Sequence, residues 1–115
     1  MARAFPVEFG DASGDLDRAL YTPAVVWELT GLHPRTLASY EEMGVVAAVR
    51  TRTDRRRYTG RMVRRLQVIA GLTHKQRVNV PAAIEIMKLF EVLRKNRQAA
   101  PTELADIYDA YVKSV

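Results

Sequence analysis

Residues 31–60 read GLHPRTLASYEEMGVVAAVRTRTDRRRYTG, a glycine turn, a short amphipathic segment, a second glycine and an arginine-dense ribbon. His33-Pro34 opens a helix, because proline at the first helical position lacks only an N–H that would stay unbonded there, and its fixed φ suits the turn. Leu37, Tyr40 and Met43 recur every three residues and face inward, leaving Arg35, Thr36, Ser39 and Glu42 outside. His33 reads as a turn and cap residue, Tyr40 as a core ring with its hydroxyl directed outward, and Gly44 ends the helix. The ribbon beyond it predicts a β-hairpin. Val45, Val46 and Val49 lead out, a polar turn spans Thr51 to Arg55, and Arg56 to Tyr58 return.

Upstream, Thr22 as N-cap and Pro23 at the first helical position predict a helix over PAVVWELT, with Val25, Val26 and Leu29 for a core and Trp27 packed on the helix. Gly31 closes it. Two short helices joined by a three-residue turn containing glycine form a helix-turn-helix, whose second helix can enter the major groove of DNA, and a basic hairpin directly after it is a wing. Downstream, Thr59 caps GRMVRRLQVIAGL, in which Met62, Val63, Leu66, Ile69 and Ala70 make an apolar stripe opposite Arg61, Arg64 and Arg65. Asn79 and Pro81 open a further helix carrying Ile86, Leu89, Phe90 and Leu93. Thr102 caps a final one with Leu104, Ile107, Tyr108, Tyr111 and Val112 on one side. That last stripe has two destinations open to it, its own domain or a dimer or partner contact.

The chain has 115 residues, 48% of them hydrophobic, which is room for one compact domain. No apolar run approaches a membrane span, and the N-terminus lacks the basic-then-apolar order of a signal peptide, so a cytoplasmic protein is expected. With no cysteine and only His33 and His74, disulfides, thiol nucleophiles and a histidine-only zinc site are excluded. Glu41-Glu42 have no nucleophile or metal ligand beside them, so neither enzyme chemistry nor a cofactor is expected. The net charge of +5 is concentrated: residues 50–65 hold eight arginines against Asp54. A solvated face is the ordinary reason for a charge run, but arginine forks onto phosphate and is weakly hydrated, which favours contact with a nucleic acid.

The stretches TPAVVWELTGLHPRTLASYEEMGVV and RRYTGRMVRRLQVI resemble the winged-helix DNA-binding domain of MerR-family transcriptional regulators, across roughly residues 21–93. GLHPRTLASYEEMGV followed by RVNVPAAIEIM is most similar to the heat-shock repressor (HspR-like) branch. The first 20 residues, rich in Gly, Asp and Ser, read as a flexible arm; the resemblance implies a mainly α fold with a small β-hairpin, a winged helix-turn-helix at 21–98 and a short C-terminal helix at 99–115. It implies that Pro34, Arg35, Thr36, Ser39 and Tyr40 meet bases or phosphates, and that Arg56 and Tyr58 match the Arg-x-Tyr pair of the wing. Together with Arg50, Arg52, Arg55, Arg57, Arg61, Arg64 and Arg65, these are the expected DNA-binding residues.

Two positions depart from the family pattern. Ala38 stands where many relatives carry an arginine after Thr-Leu, and Met62 stands where an acid often completes a capping box. The long coiled-coil helix and effector domain of ligand-sensing relatives are also missing, which removes the usual seat for a sensed small molecule or metal. The implied function is a repressor of chaperone genes that binds double-stranded DNA as a homodimer on an inverted repeat, with the DnaK chaperone as co-repressor. An architectural DNA protein, excisionase-like or binding head to tail, and a chaperone modulator that uses the same fold to bind a protein are the alternatives.

Overall fold

The computed structural model describes residues 15–115. The first fourteen residues, most of the expected arm, lie outside the described residues. The remainder of that arm is folded. A 3₁₀ turn at Asp15–Asp17 leads to strand β1, Ala19–Tyr21. Helices α1, Pro23–Thr30, and α2, Pro34–Glu42, follow, then strands β2, Val49–Arg50, and β3, Arg56–Thr59. Helix α3 spans Gly60–Ala70 and runs into a π-helical turn at Gly71–Lys75. Helix α4 spans Val80–Lys95, and a 3₁₀ turn at Thr102–Leu104 precedes α5, Ala105–Ser114.

Side-chain caps set most helix starts. Thr22 Oγ1 accepts from the Val25 N–H, His33 Nδ1 from Arg35, Thr59 Oγ1 from Met62 and Asn79 Oδ1 from Ala82, each bonding a donor that the helix leaves orphaned. Gly31 and Gly44 close the first two helices at φ values of +80° and +78°, the left-handed region where a side chain is strained. Thr102 differs from expectation: it begins the 3₁₀ turn, and the N-cap position of α5 is Leu104, which supplies no side-chain cap.

The expected two-stranded hairpin is part of a three-stranded antiparallel sheet in the order β1-β3-β2. β3 pairs with β2 through Val49 with Arg57 and Arg50 with Arg56, and with β1 through Ala19 with Thr59 and Tyr21 with Tyr58. The outward strand is shorter than its valines suggested. Val45 and Val46 are buried below α2, and the Val45 N–H bonds the Tyr40 carbonyl 2.9 Å away, so they close the helix-turn-helix instead of pairing with β3.

Helix α3 is the centre of the molecule and touches α1, β3, α4 and α5. Val63, Leu66, Val68 and Ile69 are fully enclosed, and Gln67 and Ala70 nearly so, which makes the buried surface wider than a single stripe. Each enclosed aliphatic side chain contributes about 1.5–3 kcal/mol of apolar burial. On α1 the core residue is Val26, with Leu29 half-buried; Val25 is exposed and Trp27 is 46% exposed, so neither packs as expected.

The C-terminal stripe also finds its destination. Ile107 and Tyr111 are buried at 2% and 5% exposure, with the Tyr111 ring 5.7 Å and the Tyr108 ring 5.2 Å from Phe90 of α4. Leu104 and Tyr108 are half-buried against the same core, and only Val112 of the five is exposed. Of the two destinations open to this stripe, Ile107 and Tyr111 take the first, packing within their own chain, which leaves them no surface for a second molecule.

Candidate nucleic-acid interface

The start of α1 and the hairpin face each other across a shallow groove of about 400 Å³, lined by Thr22, Pro23, Ala24, Arg50, Asp54, Arg55, Arg56 and Arg57. The first turn of α1 carries no acidic residue, so the positive end of its helix dipole faces the same space as four guanidinium groups. Sequence reading missed the contribution of Thr22 to Ala24. Thr-Pro announces a helix start, but only the folded chain shows that this start lies against the hairpin.

The arginines of the hairpin have different commitments. Arg56 donates from Nε to Glu41 Oε1 at 2.8 Å, tying β3 to the last turn of α2, and this bond raises the Arg56 pKa above its ordinary value. Arg57 donates to the neighbouring Arg56 carbonyl, and Arg50 stands 4.0 Å from Asp54, a loose and exposed contact. Arg52 and Arg55 are exposed at the turn. Thus Arg56 holds the hairpin in place, while Arg50, Arg52, Arg55 and Arg57 keep donors for an external anion.

On α2, Arg35 and Ser39 are exposed and one helical turn apart, with Pro34 and Thr36 half-buried beside them. Trp27 of α1 meets His33 edge-on at 4.6 Å, flanking the start of the same helix. Tyr40 is 5% exposed and Tyr58 wholly enclosed, and burial raises both hydroxyl pKa values, with the Glu41 carboxylate adding to the shift at Tyr58. The Tyr58 hydroxyl has no hydrogen-bond partner among the described residues. A contact to DNA by Tyr58 is corrected here, since its side chain does not reach the surface.

The three arginines of α3 are also drawn elsewhere. Arg61 donates to Asp17 at 3.0 Å and to the Ser114 carbonyl at 3.3 Å, Arg64 to the Lys113 carbonyl at 2.6 Å, and Arg65 to the Val45 carbonyl at 3.2 Å. Arg61 and Arg64 thereby satisfy carbonyls that the last turn of α5 leaves open. Their phosphate contacts, expected from the face opposite the stripe, compete with these internal bonds.

Residues 21–89 match the MerR HTH family regulatory proteins. The chain belongs to that family. A MerR-family chain is a DNA-binding regulator of transcription, and the helix-turn-helix of α1 and α2 is its defining element. Over 93 residues it is 32% identical to the "Putative heat shock protein HspR" of Streptomyces coelicolor, an alignment that covers 81% of this chain. The aligned part spans 61% of the length of that relative. No solved structure matches the chain. Among the described residues, no helix of this MerR-family protein is long and apolar enough to cross a membrane.

Proposed function

We propose that this protein is a winged helix-turn-helix repressor of stress and chaperone genes that grips an inverted repeat in double-stranded DNA as a dimer. The observation that carries the reading is the groove in which the start of α1 meets the arginines of the hairpin, beside an α2 whose exposed face bears Arg35 and Ser39. In this assignment α2 lies in the major groove and Arg35 reads a base edge, while Arg50, Arg52, Arg55 and Arg57 of the wing hold backbone phosphates. The stress-gene target follows from the similarity to the Streptomyces protein, and co-repression by the DnaK chaperone extends the same inference.

With the α5 stripe buried, the pairing surface is assigned to α4. Leu89 and Val92 are 61% and 55% exposed, with Ile86 and Leu93 half-buried alongside. Glu85 lies toward one end of that face and Lys95 toward the other, so an antiparallel second copy sets acid against base.

Binding to duplex DNA at graded salt tests the reading. If the two wings together neutralise six or more phosphates, log K falls against log salt with a slope of about −5 or steeper. A slope near −1, or no binding to duplex at all, refutes it.

A further inference from the structure

A second cavity lies away from the arginine groove, where the end of α2 meets α3, α4 and α5. It is a slot of about 300 Å³ lined by Met43, Gly44, Val45, Arg65, Ile84, Met87, Lys88, Glu91 and Tyr111. That volume is at the lower end for small-molecule sites, too small for a peptide segment but adequate for one compact ligand.

The charges around it are unequally committed. Glu91, the carboxylate of the lining among the described residues, accepts two bonds from Arg94 at 3.0 and 2.7 Å and a third from the Tyr111 hydroxyl at 2.6 Å, so its negative charge is already answered. Arg65 uses Nε for the Val45 carbonyl, and its terminal nitrogens have no partner among the described residues. Among the described residues, Lys88 pairs with the exposed Glu85 alone, at 3.1 Å. The slot therefore combines hydrocarbon and thioether walls from Met43, Val45, Ile84 and Met87 with an unanswered positive charge at its rim.

We propose that this slot binds a small amphipathic carboxylate, its apolar body against Met43, Ile84 and Met87 and its carboxylate on the Arg65 guanidinium. A planar guanidinium whose Nη1–Nη2 edge is left over matches a carboxylate fork, and the apolar walls favour a hydrocarbon body over a hydrated phosphate. Tyr111 does not compete for the ligand, because its proton is spent on Glu91.

The probe is sodium octanoate, titrated into the full chain without DNA and followed by calorimetry and by methionine methyl NMR. 1-Octanol tests the apolar body alone, and n-octylammonium tests the opposite charge. The expected result is one saturable site that shifts the Met43 and Met87 methyls but not Met62, with both controls at least about tenfold weaker. Arg65→Met lowers octanoate affinity by about tenfold or more while Arg65→Lys, which keeps the charge but not the fork, recovers part of it, a pattern that general unfolding does not produce. Octanol binding as tightly as octanoate, undiminished binding to Arg65→Met, or no saturable binding to the native chain overturns the proposal. Because DNA is absent from the assay, each of these outcomes leaves the DNA-binding reading to its own test.

Discussion

Replacing Ile107 by alanine asks whether α5 is part of the core or a detachable contact. Ile107 is 2% exposed, and it packs so closely on the π-helical turn after α3 that a β-carbon built at Gly71 would lie 3.3 Å from both its Cδ1 and its Cγ1. The substitution removes three carbons, about 2.4 kcal/mol at about 0.8 kcal/mol each. The cavity left against Gly71 raises the expected cost into the range of about 2–5 kcal/mol. A domain of this size has a total stability of about 5–15 kcal/mol, so a central loss near 3 kcal/mol shifts the melting temperature by about 12–24 °C. Urea denaturation followed by far-ultraviolet circular dichroism, at several protein concentrations, measures it. The expected midpoint falls by the same amount at every concentration. A loss below about 1 kcal/mol, or one that grows on dilution, would refute the packing argument and return α5 to the role of a subunit contact.

Four other outcomes follow from the same geometry. Arg35→Ala weakens the cognate site by about 1–3 kcal/mol and random duplex little, whereas Arg57→Ala weakens both and flattens the salt slope by about one per subunit; competition against scrambled DNA separates them. Leu89→Glu, at an exposed position, leaves thermal stability nearly unchanged and yields a monomer in sedimentation if α4 pairs the subunits. The bonds from Arg94 and then Tyr111 hold the Glu91 pKa down at about 2, against 4.5 for a free side chain, so its contribution to stability is full above pH 4.5 and is lost as the pH falls toward 2. Glu91→Gln removes that dependence from an acid titration. Thr59→Ala costs about 0.5–2 kcal/mol in urea denaturation through the lost bond to Met62, while Thr102→Ala changes little because no helix start depends on its hydroxyl.

What the sequence displayed plainly was local. Thr22-Pro23, His33-Pro34, Thr59 and Asn79 mark helix starts because the capping side chain and the N–H it bonds are at most three residues apart. The family pattern and the concentration of arginines were equally legible. What stayed hidden depends on partners distant in the chain. Ala-Leu-Tyr at 19–21 has no alternation that names a strand; it becomes one because β3 lies beside it. The α5 stripe announces that the helix must dock but not on what, and the answer, Gly71 and Phe90, comes from two other elements. Adjacent arginines in RRRY look alike in sequence, yet Arg56 finds Glu41 fifteen residues away and Tyr58 turns inward, so the hairpin divides into holding and gripping residues.

The two bonds of Arg61 bear on how the chain can be rewired. One guanidinium reaches Asp17 and Ser114, which fastens the two ends of the described fold to the same spot on α3. A circular permutant that joins residue 115 to residue 15 by a short glycine-serine bridge should therefore fold, with new ends opened in the exposed loop at 96–99 between α4 and the turn before α5. In such a molecule the groove, the slot and the exposed face of α4 all lie within one uninterrupted run of chain.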